Sequence, residues 1–167
     1  MKRNLFAAAI VGVLLGWLPE TCQASGAASQ VDVGRHHAGA EASYDGPAGI
    51  ARTDTRVGRV NFARGLAVSY GPQGVSVSQS IAVSRGGVAT AHNFQLSVGP
   101  QGRHVSHGGV VSRGGDTRVI TGGETYTGPG GPRGGSFASG TGHRTNAWSR
   151  SQSNPRPSSY PWHHFSR

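Results

Sequence analysis

The sequence predicts an all-β chain: a repeat-built antiparallel meander, or a β-solenoid, of short strands flanked by disordered Gly/Ser/Arg/Pro-rich segments. Three observations carry this expectation. A unit of 28 residues recurs, the side chains between its anchors alternate in character, and the joints are Gly/Pro tetrads and Arg-Gly-Gly triplets suited to reversing the chain. Helix is excluded by the same residues. Gly and β-branched residues are poor helix formers, and no window repeats apolar residues every three to four positions.

The N-terminus is read separately from the fold. Lys2 and Arg3 precede an apolar run of 14 residues, Leu5 to Leu18, which Pro19 ends. About 20 apolar residues are needed to span a hydrocarbon core, so the run reads as the core of a signal peptide covering 1–24. Small residues at Cys22 and Ala24 favour cleavage after Ala24. Lipid attachment at Cys22 is disfavoured, because Pro19, Glu20 and Thr21 stand where Leu and small residues are wanted. No second apolar run follows, so no integral membrane span is expected once the leader is removed. Export to the periplasm, cell surface or exterior is the expectation.

Composition after residue 24 limits how such a chain is held together. It has no Cys, Met or Lys, and it carries 14 Arg against 6 Asp plus Glu, a net charge of +8 with His neutral. Neither a disulfide framework nor a thiolate zinc site is available. Large apolar residues are too sparse for one conventional core, so stability is expected from backbone pairing or assembly.

The repeat is clearest between Leu66–Gly87 and Phe94–Gly115, which share 12 of 22 positions without a gap. Its anchors are the tetrads Gly71-Pro72-Gln73-Gly74 and Gly99-Pro100-Gln101-Gly102, and the matching pentads Val83–Gly87 and Val111–Gly115. Weaker tetrads begin at Gly46 and Gly128, giving spacings of 25, 28 and 29 residues. A fixed period in this range marks a stacked or meandering architecture.

Between anchors the pattern is that of strands. Val75, Val77, Gln79, Ile81 and Val83 share one face of an extended chain, and Ser76, Ser78, Ser80, Ala82 and Ser84 share the other. The next segment alternates likewise, with Val88, Thr90, His92, Phe94, Leu96 and Val98 opposite Ala89, Ala91, Asn93, Gln95 and Ser97. GPxG places Pro where φ near −65° is wanted, and Arg-Gly-Gly supplies the positive φ of tight hairpins. The β-repeat region is expected over 56–127. Its apolar face has too little remaining chain to cover it, and a single two-faced sheet is not stable until that face packs on something.

Outside that region the contrast fades. Residues 25–55 read as a flexible Gly/Ala/Ser-rich segment and 128–167 as a disordered basic tail, ending in Tyr160, Trp162, His163, His164, Phe165 and Arg167.

Catalysis has no visible foothold. There is no GxSxG elbow, no Lys for a phosphate loop, no HExxH and no acidic run with calcium-loop spacing, so the chain is read as a non-enzyme without cofactor. A metal site is not expected either. His104 and His107, three apart, fall on opposite faces of a strand, while His36-His37 and His163-His164 are isolated adjacent pairs.

Two function classes are compatible with these features. The first is an exported structural protein of the cell surface or extracellular matrix, self-associating through its strands. The alternative is a secreted binder of an anionic polymer: acidic polysaccharide, lipopolysaccharide or extracellular DNA. Its candidate contacts are Arg85, Arg103, Arg113, Arg118, Arg133, Arg144 and Arg150. Such attraction weakens steeply with salt.

Overall fold

The computed structural model describes residues 24–155, and within them the chain is all-β. In chain order the strands are β1 (Ser25–Gly34), β2 (Ala38–Asp45), β3 (Ala48–Arg56), β4 (Asn61–Gly71) and β5 (Gly74–Arg85). They are followed by β6 (Val88–Gly99), β7 (Gly102–Arg113), β8 (Arg118–Gly128), β9 (Gly131–Thr141) and β10 (Arg144–Pro155). All pairings are antiparallel. One sheet has four strands in the order β2-β1-β8-β9, and the other has six in the order β10-β7-β6-β5-β4-β3. The two pack face to face, with β1 over β4 and β5, β8 over β5 and β6, and β9 over β7. No helix among the described residues is long and apolar enough to cross a membrane.

The turn chemistry explains the order of strands. Three tetrads reverse the chain between paired neighbours, β4 to β5, β6 to β7 and β8 to β9, each ending on a glycine of positive φ: Gly74, Gly102 and Gly131. At the fourth, positive φ falls on the first glycine, Gly46, and the chain passes from one sheet to the other between β2 and β3. The Arg-Gly-Gly triplets do not all behave alike. Gly86 and Gly87 both take positive φ and close the β5–β6 hairpin, as expected. Gly114 instead begins a looser loop that carries β7 across to β8 in the opposite sheet, tied to the first triplet by Gly114 N–H donating to the Gly87 carbonyl at 2.9 Å. The third, at Arg133, lies inside β9.

Regular structure extends beyond the expected repeat region. Residues 25–56 form β1, β2 and β3, and β1 is a central strand of its sheet, hydrogen-bonded to β2 on one side and β8 on the other. Residues 131–155 form β9 and β10. Over the start of β1 the two faces differ little, with Ser25, Ala27 and Ser29 against Gly26, Ala28 and Gln30, so no strong hydropathy contrast marks it. The expected signal peptide, up to residue 23, and the aromatic end from residue 156 lie outside the described residues.

The larger surprise is which face is inside. The sheets bury the serine and alanine faces against each other and turn the valine-rich face of the six-stranded sheet outward. Ser76, Ser78, Ser80, Ala82, Ala91, Gln95 and Ser97 are each at most 1% exposed. The interior divides along the strands. Near the Arg-Gly-Gly end a row of Ala63, Ala82, Ala91 and Val110 packs with Val31, Val33 and Val119. Towards the tetrad end the rows are polar, as in Ser69, Ser76, Ser97 and His104.

Polar burial of this kind is tolerable only when each group finds a partner. Here many of the partners lie in the facing sheet, while Asn93 Oδ1 and Gln95 Nε2 find none among the described residues. Ser29 Oγ shares hydrogen bonds with Ser78 Oγ at 2.8 Å and Ser80 Oγ at 2.9 Å, and Ser76 Oγ with Thr127 Oγ1 at 2.8 Å. Ser78 donates to the Gly123 carbonyl at 3.0 Å, and Ser76 to that of Ser25 at 3.0 Å. Small side chains are what let hydroxyls reach the opposite backbone. At Gly65 the approach is close, for a Cβ there would stand 2.7 Å from the Glu41 carbonyl oxygen and 3.2 Å from Ser29 Cβ.

His104 is part of this interior. Its Nδ1 is 2.7 Å from Ser153 Oγ and its Nε2 3.2 Å from Ser151 Oγ, both on β10. Burial pushes the imidazole below its ordinary value of 6.5, with a backbone hydrogen bond at Gly134 opposing in part. A histidine held down in this way resists protonation in the fold. Stability is therefore expected to fall as pH drops below about 6.5, where the unfolded chain takes up the proton first. Urea unfolding midpoints at neutral and mildly acidic pH check this. His104→Gln should remove the drop between those two conditions, and an equal drop in the variant would refute the assignment.

Candidate interaction surfaces

The outward face of the six-stranded sheet is built from alternate residues of every strand, and the register brings them into rows. One row runs Gln152, Val105, Leu96, Val77, Val68, Ile50, and its neighbour Asn154, Arg103, Val98, Val75, Tyr70, Ala48. Towards the other end the rows are Arg150, His107, Phe94, Gln79, Leu66, Arg52 and then Trp148, Gly109, His92, Ile81, Arg64, Asp54. The centre is apolar and the margin carries arginine. Ile50, Phe94, Val98 and Trp148 are between 42% and 49% exposed. Contiguous exposed apolar rows make this face a candidate interaction surface.

Trp148 owes its position to a missing side chain. It lies opposite Gly109, where a Cβ would stand 3.1 Å from Trp148 Cζ2 and 2.7 Å from His92 Nδ1. The indole therefore lies across β7, edge-on to His107 with ring centroids 5.3 Å apart and tilted to His92 at 6.5 Å. Of the two histidines three apart, His107 is on this outer face and His104 inside, as an extended chain requires.

The arginines expected to contact a polyanion divide between two faces. Arg85, Arg103, Arg113, Arg144 and Arg150 project from the six-stranded sheet, all exposed, together with Arg52, Arg56 and Arg64, which sequence reasoning did not single out. Asp54 is the one carboxylate among them. Arg113 and Arg144 are directly opposite each other, and with His143 they border a shallow pocket of about 640 Å³. Like charges opposed in this way repel unless an anion lies between them.

Arg118 and Arg133 project from the four-stranded sheet instead. Arg118 is engaged there: its guanidinium grips Asp32 through two nitrogens, with Nε at 3.0 and 3.1 Å from the carboxylate oxygens. His37 Nε2 approaches the same carboxylate at 3.1 Å. Burial raises the Asp32 pKa, but the hydrogen bonds from Arg118 and His37 outweigh it and hold the carboxyl below the usual range. The charge of Arg118 is thereby engaged within the chain, although its side chain stays half exposed.

No match is found among protein-family models, curated proteins or solved structures. The surfaces must be read from their own chemistry.

That chemistry separates the two faces of the sandwich. The four-stranded sheet turns outward Asp32, Glu41, Asp45 and Glu124, against two arginines. Glu41 and Glu124 flank a shallow open groove of about 870 Å³, lined also by Ala28, Gln30, Ser43, Gly135 and Phe137. No residue of the six-stranded sheet borders it, so it opens on the outer side. Among the described residues, no group of three or more His, Cys, Asp or Glu is arranged to hold a metal ion.

Proposed function

We propose that this chain is an exported, non-catalytic structural protein of the cell surface or extracellular matrix that works by associating with copies of itself. The observation that carries the reading is the outward apolar face of the six-stranded sheet, which nothing in the chain between residues 24 and 155 covers. Leaving that surface in water forgoes about 25 cal/mol for each Å² that a partner would remove from it. The edges of the same sheet, β3 and β10, add rows of backbone groups open to pairing. The leader-like run at Leu5–Leu18 supports placement outside the cytoplasm.

Sedimentation of the chain beginning at Ser25, the product expected of leader removal, tests the reading. Particles much larger than one chain with a β circular dichroism spectrum are expected. A monomer at high concentration and neutral pH would sink it.

The opposed Arg113 and Arg144, with His143 beside them, favour a second reading in which the arginine face holds an acidic polysaccharide or other polyanion. A monomer retained on an anionic polymer at low salt and released at high salt would support that alternative.

A further inference from the structure

We infer that copies of this chain stack front to back, the acidic four-stranded face of one seated on the arginine-rimmed apolar face of the next. The inference rests on the self-association proposed above and specifies its geometry. Its basis is charge complementarity between two faces of one molecule. The six-stranded face presents eight arginines and one carboxylate, and the four-stranded face four carboxylates and two arginines.

Pairing two six-stranded faces would set arginine against arginine. Juxtaposed like charges cost several kcal/mol, so that arrangement is disfavoured and the opposite one steered. The acidic face also matches in form. Its groove between Glu41 and Glu124 is open, floored by small residues, and able to receive long guanidinium side chains. Arg64 on β4 and Arg150 on the edge strand β10, in adjacent rows on either side of the apolar centre, are exposed and make no ion pair among the described residues. Phe137, 45% exposed beside the groove, supplies an apolar contact for the valine-rich centre opposite.

The area suffices. Four strands about 4.8 Å apart, each about ten residues rising about 3.4 Å, give roughly 650 Å² per partner. A stable interface needs about 800 Å² per partner, with the standard range reaching down to about 600 Å². Because the two faces differ, the contact is heterologous: each added copy leaves one acidic and one basic face unused, and the stack stays open at both ends.

The test uses two charge-reversed forms of the chain from Ser25 to Arg167, each altered only at exposed positions. E41R/E124R makes the acidic face basic, and R52E/R64E/R103E/R150E, which leaves four arginines against five carboxylates, makes the basic face acidic. Each alone is expected to need about a hundredfold higher concentration than the natural chain to assemble, since every contact then opposes like charges. Mixed in equal amounts they are expected to associate again, because each retains the natural face that the other has altered. That rescue shows both variants to be folded. If the natural chain assembles and either variant assembles as readily, edge pairing or another surface is responsible and the stacking is refuted while self-association stands. A mixture no more associated than its components refutes it equally. A natural chain that stays monomeric, or that binds a polyanion through its arginine face without assembling, overturns the inference together with the reading beneath it.

Discussion

Ser78→Leu is expected to destabilise the fold by about 3 kcal/mol or more, although it places an apolar side chain at a fully buried position. Ser78 is 0% exposed, shares a hydrogen bond with Ser29 across the sandwich and donates to the Gly123 carbonyl. Leucine removes both bonds and adds three carbons between sheets spaced for serine. In a sandwich spaced for valine and leucine the same exchange would add core. The comparison that isolates the effect is Val77→Leu, one residue away on the outer face, where a change within about 0.5 kcal/mol is expected. Urea unfolding of the two variants decides between a thin interior and a loosely filled one. Stabilisation by Ser78→Leu would show that the sheets can part to accept it.

Gly74→Ala is expected to cost about 3 kcal/mol, by a different route. Gly74 closes the β4–β5 turn with φ near +130°, a region that side chains rarely enter. A Cβ there would also collide with the Val98 carbonyl oxygen and stand 2.9 Å from the Gly99 Cα in the neighbouring turn. Both obstacles are backbone and cannot swing away. Gly86 provides the control. It too has positive φ, +56°, but a Cβ added to it would meet nothing within 4 Å, so Gly86→Ala is expected to cost only about 1 kcal/mol. Thermal unfolding of the pair separates collision from backbone strain, and equal losses would remove the collision argument.

These two positions show how far the sequence could be read. The turn at Gly74 was legible because GPxG recurs, and the structure adds that recurrence puts one tetrad beside the next, where each glycine makes room for its neighbour. The alternation over Val75–Val98 was legible too, since strand geometry fixes which residues share a face. Which face would be covered was not. Hydropathy assigns the inside to Val77 and Ile81, yet the interior is chosen by cross-sheet hydrogen bonds from Ser29, Thr127 and Gly123, residues 45 to 51 positions away in sequence. Nothing local to Ser78 announces them.

The same limit governs the surfaces. Seven arginines were singled out by charge, but only the register shows that five share a face with Arg52, Arg56 and Arg64, while Arg118 is spent on Asp32, 86 residues away. The acidic character of the opposite face was hidden for the same reason. Glu41 and Glu124 stand on strands that only β1 brings together. β1 itself, all Ser, Ala, Gly and Gln over its first six residues, was expected to be irregular.

An interior of serine, alanine and threonine has a thermal consequence as well. The heat capacity change on unfolding comes from apolar surface newly exposed to water, while polar exposure subtracts from it. A single copy therefore unfolds with a small heat capacity increment for its length, and its stability varies little with temperature, losing less on cooling than a valine-cored sandwich does. The apolar face outside belongs to another balance. Any partner that covers it brings the missing heat capacity to association, so the assembled state, unlike the lone chain, would loosen in the cold.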